Sequence, residues 1–139
     1  MRELPRQLSA DELAPLFSGR TRLVAELAAR ERPLEVAEEV ALALPEADQI
    51  AALSTHPRIG APSPEQRGEE PHVLAELELL NDEYERRFGF PFVVFVDGRT
   101  RAEIVPVLRA RLARTRAEEL RAGLRALCRI ARDRWTRST

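Results

Sequence analysis

The chain has 139 residues, enough for one domain that buries roughly two-thirds of the surface its unfolded form exposes. Its 22 basic and 23 acidic residues nearly cancel, which removes the electrostatic footprint of a phosphate-backbone binder and sets nucleic acid aside as a partner. Every basic side chain is arginine, so no amine is present for a Schiff base. Two histidines and a single cysteine supply a zinc site poorly and a disulfide not at all. Chemistry without a lysine adduct or a metal is the expectation.

The amino-terminal segment carries no apolar run of leader length, and no stretch approaches the roughly 20 apolar residues that span a bilayer. A cytoplasmic protein with no membrane partner is therefore expected, and the pocket-forming residues described below point to a small-molecule substrate.

In chain order, Ser9-Ala10-Asp11-Glu12 is a capping box, in which a hydroxyl and a glutamate three positions on each satisfy an orphan backbone N–H. The pattern recurs at Thr100–Glu103 and Thr115–Glu118. Leu23, Leu27 and Ala28 fit a helical stripe ending near Pro33, and Val36, Val40, Ala43 and Leu44 fit another ending before Pro45. A helix from Glu46 to about Thr55 turns Ile50 and Leu53 inward. It stops at His56-Pro57, because a residue preceding proline is pushed out of the helical region.

Ser63-Pro64-Glu65-Gln66 reads as a further helix start. Val73, Leu77, Leu80, Tyr84 and Phe88 then form the apolar stripe of a long helix closed by Gly89. Phe90 to Val96 is the one continuous apolar run. With no second run to pair with, it is expected to cross the core as an extended or single-turn segment ending at Asp97-Gly98. Pro106 is expected to kink or divide the next helix. The last helix, running to about Trp135, presents Leu120, Leu124, Leu127 and Ala131, and its next inward position is Arg134. The sum is a single all-α domain, residues 1–139, of about seven helices with one extended or single-turn segment near Phe90 to Val96.

Four features carry chemistry. His56, at a helix end, has an ordinary pKa near 6.5 and suits proton transfer. Glu65 and Gln66 stand at a helix start, where backbone N–H groups converge, although capping alone accounts equally well for them. The stiff segment Phe88–Val94 can line a pocket or simply pack the core. Arg134 continues a buried stripe, either as a snorkelling side chain or as a guanidinium directed at a carboxylate.

Taken in order, His56-Pro57, Glu65-Gln66, Leu80-Asn81-x-x-Tyr84-x-x-Arg87-Phe88-Gly89-Phe90-Pro91-Phe92-Val93-Val94 and Ile130-Ala131-x-x-Arg134 resemble the OHCU decarboxylase family of urate degradation. The resemblance implies an all-helical, cofactor-free and commonly dimeric enzyme. Its reaction converts 2-oxo-4-hydroxy-4-carboxy-5-ureidoimidazoline (OHCU) to (S)-allantoin and carbon dioxide. It also implies His56, Glu65 and Arg134 as catalytic residues, with Pro57, Ser63, Gln66, Phe92, Val93, Val94, Phe95 and Val96 binding substrate. Arg58 stands where the family frequently has aspartate, and Trp135 where it has leucine. Two other readings of the same residues stay open: a helical interaction module in which they are only caps and core, and an enzyme of this fold acting on a related ureido or imidazoline acid.

Overall fold

The computed structural model describes residues 2–59 and 71–138, so Ser63-Pro64-Glu65-Gln66 lies outside the described residues. Among the described residues seven helices follow in order: α1 (Ala10–Leu13), α2 (Arg22–Ala28), α3 (Pro33–Ala43), α4 (Glu46–Ser54), α5 (Pro71–Phe88), α6 (Arg101–Leu112) and α7 (Arg116–Arg137). No strand occurs among the described residues. Helix α7 packs along α3 and α4, α2 joins α1, α3 and α4, and α5 pairs with α6.

The helix starts follow from side-chain chemistry. Ser9, Thr100 and Thr115 each accept the N–H of the third helical residue, and Glu12, Glu103 and Glu118 each return a bond to the cap N–H, closing three capping boxes. Each such cap is worth about 1 kcal/mol, which matters most for the four-residue α1. Helix α5 ends where Gly89, at φ +82°, takes the left-handed conformation and bonds its N–H to the Glu85 carbonyl at 2.9 Å.

Some details differ from the sequence expectation, and α2 ends at Ala28, short of the expected Pro33. The buried face of α3 is Leu34, Ala37, Val40 and Ala41, with Val36 only half-buried and Ala43 exposed. The stripe is rotated by about one residue because two of its members are alanines, which carry little hydropathy but permit close approach. Pro106 does not divide α6, which runs unbroken from Arg101 to Leu112. Pro106 and Ala102, whose carbonyl loses its partner, are both exposed, so water can take the freed acceptor.

The core gathers Leu13, Phe17, Leu23, Leu27, Leu53, Leu77, Ile104, Leu124 and Leu127, all essentially inaccessible. Gly123 sits mid-helix in α7, where glycine costs about 1 kcal/mol against alanine. A Cβ there would lie 3.2 Å from Leu53 Cδ2, so its absence lets α7 approach α4 just before the helix end that carries His56. Cys128 is buried and its thiol is pushed up to about 12 by desolvation, which leaves it inert.

Candidate active site

The segment after Gly89 contains no regular structure from Pro91 to Val96 and ends in a turn at Asp97 and Gly98, both with positive φ, closed by Arg99 N–H on the Val96 carbonyl at 3.1 Å. It lies over a cluster of aromatic rings in which Tyr84 meets Phe88 at 4.6 Å and Phe92 at 5.3 Å. Arginines hold its carbonyls: Arg111 donates to Val93, and Arg99 to Phe95 and Val96. Its N–H groups from residue 92 to 96 make no hydrogen bond among the described residues.

Behind this segment a polar network is locked into the core. Glu119 is fully buried and accepts from the Tyr84 hydroxyl at 2.7 Å and from Arg111 Nε at 2.7 Å. Arg114 Nη1 stands 3.3 Å from its other oxygen. Burial, reinforced by the bond to Glu119, raises the Tyr84 pKa, so its hydroxyl stays protonated as a donor. Arg111 thereby bridges a buried carboxylate and the Val93 carbonyl.

A cavity of about 570 Å³ opens against the segment and is lined by His56, Pro57, Phe92, Val93, Val94, Phe95, Val96 and Arg134, among others. The turn that follows α1 positions both of its ends. Thr55, capping α4, donates its hydroxyl to the Phe17 carbonyl at 3.1 Å, which fixes the helix end beside His56. Arg134 Nη1 reaches the Pro15 and Leu16 carbonyls at 3.1 Å each and Ser18 Oγ at 2.8 Å. The same four-residue stretch thus holds the helix end beside His56 and the Arg134 guanidinium.

The loop after His56 is tied to α5. Asn81, buried, donates to the Ile59 carbonyl at 3.1 Å. Arg58 bonds Glu85 through Nε at 2.8 Å and Asp82 through Nη2 at 2.6 Å. This clamp gives Arg58 a structural role where the family frequently has aspartate.

Burial, with a smaller contribution from the charge of Arg134, lowers the His56 pKa from 6.5 to about 4. The imidazole is therefore neutral at pH 7, and its Nε2 is buried with no hydrogen-bond partner among the described residues. Because the folded value lies below the unfolded one, the unfolded chain binds the proton first. Stability from this group is whole above pH 6.5 and is lost as pH falls from 6.5 through about 4. Desolvation also lowers the Arg134 pKa, without bringing the guanidinium near neutrality.

Sequence reasoning placed Arg101 only inside a capping box, yet it is 6% exposed and lines the same cavity. Its position as first residue of α6, directly after a structured turn, was the available signal. Ser63, Glu65 and Gln66 fall outside the described residues, so their relation to the cavity is a matter of proposal. Among the described residues no three His, Cys, Asp or Glu side chains gather as a metal set. No described helix is long and apolar enough to cross a membrane.

A family model described as OHCU decarboxylase matches residues 2–136. The chain belongs to the OHCU decarboxylase family. It is 35% identical over 98 residues to the uric acid degradation bifunctional protein PucL of Bacillus subtilis (strain 168), covering 62% of this chain and 20% of that protein. To a uric acid degradation bifunctional protein of Bacillus sp. (strain TB-90) it is 27% identical over 147 residues, covering 90% of this chain and 29% of the relative. The chain thus spans less than a third of the length of these curated relatives. Among solved structures, an OHCU decarboxylase in the presence of (S)-allantoin matches with TM-score 0.77 at 24% identity, over 89% of this chain and 94% of that one. An (S)-allantoin synthase matches with TM-score 0.72 at 19% identity, over 91% of this chain and 48% of that one. At these identities the structural likeness carries the OHCU decarboxylase fold.

Proposed function

We propose that this chain decarboxylates OHCU to (S)-allantoin and carbon dioxide without a cofactor, using His56 for proton transfer and Arg134 to hold the substrate. The observation that carries this reading is the meeting of a neutral imidazole, whose Nε2 has no hydrogen-bond partner among the described residues, and a fixed guanidinium in one cavity, in a member of the OHCU decarboxylase family.

The substrate supplies its own electron sink. Its carboxylate leaves a carbon that also bears a hydroxyl and adjoins an imine carbon. When carbon dioxide departs, the electron pair of the broken C–C bond passes toward the imine carbon, and the imine π pair moves to nitrogen, which takes up a proton. Being neutral at pH 7, His56 accepts the hydroxyl proton as that oxygen becomes a carbonyl, and returns it to the former imine carbon. The balance is one proton from solvent, one carbon dioxide released and one new stereocentre. Delivery from the His56 face alone sets its handedness.

Arg134 orients a substrate oxygen through a charge-assisted bond, and the N–H groups of residues 92–96 stand ready for developing negative charge. Pro57 and the apolar side chains of the segment exclude water. Glu65 and Gln66 join the same reading as hydrogen-bond partners of the hydroxyl, ring or ureido group, with Ser63 as a further substrate-binding residue. A cytoplasmic, single-domain homodimer completes it, supported by the family resemblance.

The test generates OHCU in place from urate with uricase and a hydroxyisourate hydrolase, and follows allantoin by circular dichroism. The protein is expected to accelerate formation of a single enantiomer. An unchanged rate with racemic product would overturn the reading.

A further inference from the structure

A second cavity, also of about 570 Å³, shares Val94 and Phe95 with the first but has a different chemistry. Six arginines line it: Arg99, Arg111, Arg114, Arg121, Arg125 and Arg129, with Glu118 as the one lining acid. Glu119 neutralises Arg111, Glu118 and Glu119 approach Arg114, and Glu38 holds Arg125 at 3.0 Å. Arg99, Arg121 and Arg129 make no ion pair within 4 Å among the described residues. The surplus is local, because the whole chain carries a net charge of only −1.

The arrangement opposes helix stability. Arg121, Arg125 and Arg129 stand at successive i, i+4 positions of α7, all exposed, where like charges repel. Arg129 lies over the Phe95 ring at 4.7 Å, which holds its guanidinium at the wall of the cavity. Arg111 adds a buried Nη2 with no hydrogen-bond partner among the described residues. Fixed guanidinium forks around a concave volume suit phosphoryl oxygens. Arg99, Arg121 and Arg129 add three positive charges with no contact ion pair among the described residues, Glu118 and Glu103 acting on Arg121 and Arg99 only at longer range, and the volume falls in the range of cofactor-sized ligands.

We propose that this arginine groove binds a small polyanion carrying two or more phosphoryl groups. The chemistry is shared by inorganic polyphosphates and nucleoside polyphosphates, with the Phe95 ring and Ala122 offering the latter an apolar contact. Arg99 and Arg111, which hold the carbonyls of residues 93, 95 and 96, would face such a ligand while anchoring the wall of the first cavity.

The experiment is isothermal titration of the full chain with tripolyphosphate, and separately with ATP, without metal and at about 0.15 M salt. Saturable one-to-one binding of tripolyphosphate is expected, with affinity lowered about tenfold or more by the Arg121→Ser, Arg129→Ser double variant and retained by Arg134→Ser. Equal affinity for both probes assigns the site to the phosphate chain, and tighter ATP binding assigns it to a nucleotide. Absence of saturable binding, unchanged affinity in the double variant, or a loss confined to Arg134→Ser would overturn the proposal.

Discussion

Replacement of His56 by glutamine is expected to lower turnover of OHCU by about 10²- to 10⁴-fold, the usual worth of positioned proton transfer. Both kcat and kcat/KM should fall together, because the lost interaction belongs to the transition state rather than to substrate binding. The melting temperature should change little, since the buried Nε2 makes no hydrogen bond among the described residues that the fold would lose. In the wild-type protein, kcat/KM is expected to stay level through neutral pH and to fall through a midpoint of about 4, not the ordinary 6.5, as the imidazole charges. Removing Arg134 should raise that midpoint, because its charge contributes to the depression. Stopped assays across pH with the in situ substrate read all three quantities. A glutamine variant with near wild-type turnover would remove His56 from the chemistry.

Glu119→Ala is expected to be the most damaging single change to the fold. It strands Arg111, whose side chain is only 11% exposed, and leaves the Tyr84 hydroxyl without its acceptor. Breaking a buried pair in this way costs about 3–5 kcal/mol, a large share of the roughly 5–15 kcal/mol that holds a domain together. Glu119→Gln keeps an acceptor for Tyr84 and should lose less. Tyr84→Phe removes one hydrogen bond and should cost about 1 kcal/mol. Thermal and urea unfolding of the three variants gives the ranking, and a Glu119→Ala protein as stable as wild type would contradict the network described above. The effect reaches the cavity, because Arg111 also holds the Val93 carbonyl.

The helices were legible wherever local chemistry dictates them. Three capping boxes marked their starts directly, and Val73, Leu77, Leu80, Tyr84 and Phe88 gave the inward face of α5. The absence of a partner run correctly argued against a strand at Phe90–Val96, where Pro91 to Val96 has no regular structure. The face of α3 was read one residue out, since Ala37 and Ala41 contribute little hydropathy. Glu119 was invisible because it follows the cap residue Glu118 and looks like another first-turn surface acid. Its buried partners, Tyr84 and Arg111, lie on other helices, and only tertiary packing reveals them.

The site was legible in a different way. His56 and Arg134 stood out as residues that break their surroundings, one at a helix end and the other in an apolar stripe. What holds the helix end beside His56 and the Arg134 guanidinium did not stand out. Pro15, Leu16, Phe17 and Ser18 act through backbone carbonyls and a hydroxyl, which leave no mark in residue type. Arg101 was hidden for the opposite reason, because its neighbours already explained it as part of a helix cap.

A crystal structure of the protein with (S)-allantoin bound tests the central claim most directly. The account predicts the ligand in the cavity between the His56 imidazole and the Arg134 guanidinium, with bonds to N–H groups of residues 92–96. Allantoin bound elsewhere on the molecule, with His56 and Arg134 making no contact to it, would contradict the account.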